Sequence, residues 1–321
     1  MRLGKLTNEQ LKRLVLDQLI GVRPEIVLRP DVGVDCAAVD LGEDLCVLST
    51  DPITAAGENL GTLAVHVCCN DAAACGAEPI GLLTTLLLPP GTDEAFIEKT
   101  AREVSEAAVA ASVDVLGGHT EVTDAVNRPV ISATVIARSP RHKLVSAAGM
   151  KCGDDILLTK WAGLEGTVIL AEDFAEKLQG VWDREDFLFA RGMKKYLSVV
   201  KESEVAMRLP VSAMHDVTEG GVLGAVWEMA EASGCGAALE LEKIPVLDVT
   251  ERACRALGID PLRLISSGAM LIATPCGEKM QELLCASGIA AEIIGKAVKA
   301  GVTLDGEPVE APEADELLRL F

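Results

Sequence analysis

An α+β protein of two domains is the fold class this sequence predicts, and three observations predict it. The chain has 321 residues, longer than a typical single domain. Its hydrophobic fraction is 49% with only 3% aromatics, so Ala, Val and Leu must build a core of closely packed helices and sheets. In the first half the apolar pattern reads strand, strand, helix, strand, helix, strand, strand, which lays helices on one face of a mixed sheet.

Residues 7–20 carry Leu11, Leu14, Val15 and Leu19 on one helical face with charges opposite. After a loop through Pro24 and Pro30, residues 31–40 and 43–51 read as short strands, the second ending at Asp51. Over residues 60–79, Leu60, Leu63, Ala64, Val67, Cys68 and Asp71 recur at the spacing of one helix face. Asn59 is placed to cap the start, and Gly76 with Pro79 ends it. An acid therefore sits on an apolar stripe. Burying an isolated charge costs on the order of several kcal/mol, so Asp71 is expected to meet a cation, a donor cluster or water; the alternative is a helix end where Asn70 and Asp71 face solvent.

Residues 81–88 form a continuous apolar strand, and Pro89-Pro90-Gly91 turns the chain. Thr92, followed by Asp93 and Glu94, starts a helix to about Ala111. Residues 113–116 then form a strand that breaks at Gly117-Gly118, and residues 129–137 another. A second unit begins near Gly149, giving domains 1–148 and 149–321. Within it, residues 155–159 read as a strand, Gly163 and Gly166 as a turn, and residues 167–178 as a helix. Thr218 is placed to cap a helix running to Ser233, with Gly234 beyond it. Strands and helices continue to a hairpin at Asp305-Gly306 and a short acidic helix. Cys285, among Met280, Leu283 and Leu284, reads as core.

The formal charge of −20 argues against nucleic acid or an anionic membrane as partner, since both need a basic footprint. It leaves room for a nucleotide whose phosphates reach carboxylates through Mg²⁺. Ten cysteines without a C-x-x-C pair or a signal peptide point to reduced thiols in a cytoplasmic protein, and no apolar run is long enough to span a bilayer. The Walker A and Rossmann glycine motifs and zinc-like Cys/His spacings are absent from this sequence, which has four histidines.

Four acids stand where strands or helices end beside small residues: Asp35, Asp51, Asp71 and Glu121. Hard oxygen ligands of this kind suit Mg²⁺, which takes a few carboxylates and keeps several waters or phosphate oxygens. Gly117-Gly118 either lets backbone N–H groups approach a phosphate or is a plain turn, and the helix after Gly220-Gly221 offers an N-terminus for another phosphate.

The stretches GVDCAAV (33–39), STD (49–51), ND (70–71) with GAEP (76–79), LGGHTE (116–121), HDVTEGG (215–221) and SSGAMLIA (266–273) fall in the order of the PurM/SelD/ThiL/HypE superfamily of ATP-using enzymes. The chain resembles that superfamily over nearly its whole length. Its likeness is greatest to HypE-like hydrogenase maturation proteins related to aminoimidazole ribonucleotide (AIR) synthetase. The resemblance implies a PurM-like fold, with an N-terminal α+β domain that pairs with its twin into a dimeric β-barrel and a C-terminal α/β domain of ferredoxin-like character. It implies ATP between the domains with Mg²⁺ on Asp35, Asp51 and Asp71, and with Glu121 as a further ligand. Asn70, Gly117, Gly118, Thr120, Asp216, Thr218, Gly220 and Gly221 are then nucleotide contacts, and Asp71 and His119 take part in catalysis. The implied chemistry is activation of an amide, carboxamide or hydroxyl oxygen on a small molecule or partner protein by phosphorylation. A small-molecule kinase of the ThiL kind and a non-catalytic nucleotide-binding dimer are the competing readings.

Three departures bear on this. Val34 stands where related sequences often carry an acid. His119 replaces an Asp common in HypE, leaving it to contact a phosphate or simply to pack. The residues here end Leu318-Arg319-Leu320-Phe321, where HypE has a tail with a terminal Cys; an acceptor separate from the chain is therefore expected. The apolar run 46–49 is expected on a sheet edge, and a two-fold homodimer is expected to cover it.

Overall fold

Thr7 opens the first helix, α1 (Asn8–Leu14), through a reciprocal capping box with Gln10. The structure, a computed structural model, describes residues 7–19, 23–34, 36–54, 59–311 and 314–320. α1 buries none of its residues, and Leu14, Val15 and Leu19 of its expected apolar face are exposed.

The first domain is a six-stranded mixed sheet. Its strands are β1 (Ile26–Leu28), β2 (Ala37–Asp40), β3 (Asp44–Ile53), β4 (Glu78–Leu88), β5 (Asp114–Val122) and β6 (Val130–Pro140), in the order β1-β2-β3-β6-β4-β5. Only β4 and β5 run parallel. Leu45 and Val47 of β3, Leu82, Leu86 and Leu88 of β4, and Ile131, Ala133 and Val135 of β6 are buried at every second position. That face is covered by α2 (Leu60–Ala74) and α3 (Glu94–Ala110), as the sequence leads one to expect. Asp93 rather than Thr92 caps α3, accepting from the Ala95 N–H at 3.0 Å.

Two expectations are overturned here. Residues 46–49 lie inside β3, between β2 and β6; the edges are β1 and β5, and all residues of β5 are exposed. The strand does not break at Gly117-Gly118 either; it runs on to Val122 over a bulge that shifts register opposite Leu82 and Leu83. The glycines are there for space and backbone shape. A Cβ on Gly118, which has φ +156°, would lie 1.9 Å from the Thr84 carbonyl oxygen.

The second domain is a seven-stranded sheet. In chain order its elements are β7 (Asp155–Thr159), α4 (Leu164–Asp173), α5 (Arg184–Gly192), α6 (Val200–Ala206), β8 (Ala213–Asp216), α7 (Gly221–Ser233), β9 (Gly236–Leu239), α8 (Asp248–Leu257), β10 (Met270–Thr274), α9 (Gly277–Ala286), β11 (Ala291–Val298), β12 (Val302–Leu304) and β13 (Glu307–Pro308). The sheet order is β13-β12-β9-β11-β7-β10-β8. Both faces are buried. Ile156, Leu158, Leu271 and Ala273 pack with Val222 and Val226 of α7, while Leu157, Met270 and Ile272 pack with Met280 and Leu284 of α9. β12 and β13 are joined at Asp305-Gly306, both with positive φ, as the hairpin signal requires. Gly166 is not in a turn but inside α4, and Cys285 is exposed, because Met280 and Leu284 take the buried positions of α9.

α2 joins the domains. It is buried on nearly every side rather than along one stripe, which is how an apolar helix with short side chains behaves between two layers. Leu63 packs with Leu164, Val168, Met193 and Leu197, and Ala73 enters the core beside Met214 and Met270. The Asn70 amide donates to the Leu197 carbonyl and accepts from the Val199 N–H, both at 2.8 Å. Ser203 donates to the Ala73 carbonyl at 2.6 Å. Asn59 does not cap α2 with its side chain; its amide donates to both oxygens of Glu172 at 2.8 and 2.7 Å. Behind this seam Lys160, left-handed at φ +56°, donates to the Tyr196 and Ser198 carbonyls at 2.9 and 2.7 Å and pairs with Glu202 at 2.6 Å.

Leu197 and Val199 are buried, so Asn70→Ala strands a carbonyl and an N–H at the seam. The expected cost in urea unfolding is about 2–4 kcal/mol. A loss below about 1 kcal/mol would show that the amide does not hold the domains together.

Candidate functional site

Ser49 and Asp51 stand two residues apart on β3, so they share the face that meets α2. The Ser49 hydroxyl donates to Asp71 Oδ2 at 2.5 Å, and Asp71 is 6% exposed. One turn earlier on α2, the Cys68 thiol donates to the Ala133 carbonyl at 3.1 Å. Burial, then the charges of Asp51 and Asp71, push that thiol far above its usual range. Cys68 is thus kept protonated, and its environment puts both carboxylates beside one sulfur. Asp71 therefore meets the Ser49 hydroxyl rather than facing solvent. Asp35 lies outside the described residues, and Asn70, next to Asp71, is engaged with the second domain.

Across the sheet, Asp51 is in register with Ala133, Ala133 with Thr84, and Thr84 with Gly118. Three strand spacings put Gly118 about 14 Å from Asp51 along one row. Thr120 shares the helix-side face with Gly118, while His119 and Glu121 point to the open face. There His119 Nε2 lies 3.2 Å from Glu121 Oε2, and both side chains are more than half exposed. Within one copy of the chain, Glu121 does not join Asp51 and Asp71. Among the described residues no group of three or more His, Cys, Asp or Glu is arranged to hold a metal ion. Asp51 and Asp71 alone fit Mg²⁺, which takes few protein carboxylates when phosphate and water supply the rest.

In the second domain Asp216 closes β8 with 1% exposure, and its Oδ2 has no hydrogen-bond partner among the described residues. Thr218 is half-buried and caps nothing with its side chain; the N-cap position of α7 is Gly220. The Gly220 N–H donates to Asp315 Oδ2 at 2.8 Å, and the Gly221 N–H to the Thr218 carbonyl at 3.1 Å. A Cβ on Gly221 would lie 2.5 Å from the Leu262 carbonyl oxygen. These expected phosphate donors are thus used inside the fold.

A cleft of about 850 Å³ opens at the other end of α2, lined by Asn59, Thr62 and His66 with Lys99, Arg102, Glu172 and Lys194. Along the helix its lining runs from about 18 Å from Asp71 at Asn59 to about 8 Å at His66. Burial and the Lys160 charge push His66 down to about 4, and its Nδ1 is buried without a partner among the described residues.

Sequence reasoning missed Ser49, Glu165 and Asp315. Ser49 could have been found, since position i−2 of a strand carboxylate shares its face. Glu165 and Asp315 carry no local signal; only the folded chain brings them to the head of α7.

The model of the AIR synthase related protein N-terminal domain matches residues 33–139, and that of the C-terminal domain matches residues 151–306. A hydrogenase expression/formation protein of Methanocaldococcus jannaschii is 30% identical over 313 residues, covering 92% of this chain and 89% of that protein. The carbamoyl dehydratase HypE of Cupriavidus necator is 30% identical over 267 residues, covering 79% and 74%. The crystal structure of Escherichia coli HypE superposes with a TM-score of 0.74 at 26% identity, covering 86% of this chain and 89% of that one. A ThiL complexed with AMPPCP and TMP gives 0.75 at 20% identity over 96% and 94%, a likeness of fold. Matched in both halves by the two domain models, the chain belongs to the AIR synthase related protein family and has the two-domain PurM-like fold of HypE and ThiL.

Proposed function

We propose that this protein is an ATP- and Mg²⁺-dependent enzyme of the HypE kind that activates an amide or carboxamide oxygen by phosphorylation. The observation that carries the reading is the convergence of Asp51 and the Ser49-bound Asp71 on one buried edge between sheet and helix. The matched domain models and the carbamoyl dehydratase relatives support it. Asp51 and Asp71 would hold Mg²⁺, with Asp35 as a further ligand. ATP would supply the phosphoryl group. Ser49 orients the Asp71 carboxylate, so a charge-bearing oxygen stays fixed where it is needed. The buried Asp216 Oδ2, without a partner among the described residues, is a polar atom that a nucleotide or its water would satisfy.

His119 and Glu121 sit on the exposed strand. Donation from His119 Nε2 to Glu121 leaves Nδ1 as an acceptor on the open face, able to take a proton from an acceptor group. Gly117, Gly118 and Thr120 beside it would line the phosphates. β5 offers nine residues of unpaired edge, with Val115, Leu116 and Val122 exposed. An open edge of this length invites strand pairing, and a homodimer through the first domain would close it. Among the described residues no two cysteines form a disulfide, which suits a reducing cytoplasm. The exposed thiols, Cys152 and Cys285, sit in a turn and on α9, so the acceptor is taken to be a separate small molecule or partner protein.

Three outcomes test this. Asp51→Ala and Asp71→Asn should each weaken Mg²⁺-dependent ATP binding at least about tenfold in calorimetric titration while unfolding stays cooperative; unchanged affinity in both removes the site. Light scattering at micromolar concentration should give the mass of two chains, and a monomer would remove the dimer. Incubation with a carbamoyl transferase, carbamoyl phosphate and ATP should leave the intact mass unchanged. A gain on any cysteine would mean that the chain loads itself.

A further inference from the structure

The turn that leads toward β2 touches the other domain. The Val34 N–H donates to the Asp31 carbonyl at 3.2 Å and the Val32 N–H to Asp31 Oδ1 at 2.8 Å, which closes residues 31–34 into a β-turn. Its third position is Gly33 with φ +71°, the conformation that a type II turn needs there and that favours glycine. Space asks for glycine as well. A Cβ on Gly33 would lie 3.2 Å from the Ala232 Cβ and 3.2 Å from the Glu228 carbonyl oxygen, both on α7, so the turn is seated closely on that helix. Val32, Gly33 and Val34 are half-buried, and Val34 closes the turn through its N–H instead of offering a ligand.

The chain then crosses at once into the first domain. Cys36 is 3% exposed in the core with Ala38 and Val47, and Ala37 of β2 is in register with Leu48, next to Ser49. Three residue steps, at most about 11 Å of chain, separate Gly33 from Cys36. Val34 and Asp35 are the two residues between them. The chain around Asp35 is thus anchored on one side to the sheet that carries Asp51 and on the other to α7. That helix begins at Gly221, where the expected nucleotide contacts of the second domain end, and Glu228 follows about 10 Å along it.

We propose that the Asp31–Val34 turn is a clip through which the second domain positions Asp35, with Gly33 and Ala232 as positioning residues, so that Mg²⁺ binding on the first domain depends on the seating of this turn on α7.

The reason lies in what each carboxylate is built on. Mg²⁺ demands near-ideal octahedral geometry, so every protein oxygen that it takes must be fixed by its surroundings. Asp51 stands on β3 and Asp71 on α2, inside regular elements that α7 does not have to hold. Asp35 comes before β2, and its approach is set by the turn. A larger side chain at position 232 would lift the turn from its seat and leave Asp51 and Asp71 in place. That Asp35 is a metal ligand rests on the proposed function; the seating of the turn does not.

Calorimetric titration of the full chain with ATP at varied Mg²⁺ tests the clip. Ala232→Leu, a half-buried position outside the proposed site, should raise the Mg²⁺ concentration for half-saturation about tenfold, as loss of a contact that supports a metal ligand does, and leave metal-free ATP affinity unchanged. Ala232→Ser, close to alanine in size, should keep the wild-type value. Asp35→Asn should raise the Mg²⁺ requirement too, and adding Ala232→Leu to it should change that by less than about twofold, because both act through one carboxylate. Hydrogen exchange without nucleotide or metal reads the seat itself: protection of the Val34 amide should fall on the order of tenfold in Ala232→Leu. Equal Val34 protection in the two proteins, an unchanged Mg²⁺ requirement in Ala232→Leu or Asp35→Asn, or full additivity of the two changes would overturn the clip. Absence of Mg²⁺-dependent ATP binding in the wild type would count against the proposed function and with it the role of Asp35, while the Val34 comparison still decides whether α7 seats the turn.

Discussion

The amide of Asn70 holds the two domains in their relation, together with the Ser203 bond to Ala73 and the packing of Leu63. Asn70 spends its donor and its acceptor on backbone groups of the second domain, at a place where no solvent could replace them. A buried peptide group without a partner is costly, so the segment from Leu197 to Val199 has one position that satisfies both bonds. Short side chains make this possible: Ala72, Ala73 and Ala74 let α2 lie against the first sheet and the second domain at once. The residue beside Asn70 is Asp71, and the element that fixes the seam therefore also fixes the candidate site.

That coupling explains why the carboxylates stand apart from the open cleft. The cleft is lined by paired and solvated charges at the start of α2, whereas Asp71 is held near its end by a serine from the sheet. Size alone would point to the cleft. The chemistry of a metal and phosphate site asks instead for oriented oxygens in a dry setting, which is what Ser49 and the surrounding core provide.

Much of the fold was legible because local signals and packing agree. The apolar run in β4, the glycine ending α7 and the Asp305-Gly306 turn each state one preference, and nothing in the tertiary structure opposes it. Asn70 and Asp71 stood out as polar residues on an apolar helix, yet only the fold shows that the first binds backbone and the second a serine. Legibility failed where a residue's role is set by something distant. Gly117-Gly118 looks like a turn, but Thr84 on the neighbouring strand makes the glycine necessary. Thr218 has the composition of a cap, but the carboxylate of Asp315, 95 residues from Gly220, takes that work. Cys285 sits among apolar neighbours in the chain, yet the helical period turns it outward.

The Lys160–Glu202 pair carries a consequence for how such a sequence can drift. Both side chains are less than a tenth exposed, so losing either leaves a naked charge inside the protein, a step that costs more than the pair itself contributes. Two apolar residues of similar volume would serve as well, but every single-step route to them passes through an intermediate with one charge uncompensated. Lys160 also holds two carbonyls, at Tyr196 and Ser198, that its replacement would strand. Descendants of this chain are therefore expected to keep both residues or to exchange them in one correlated event, which makes the two columns a covarying signature of the domain seam.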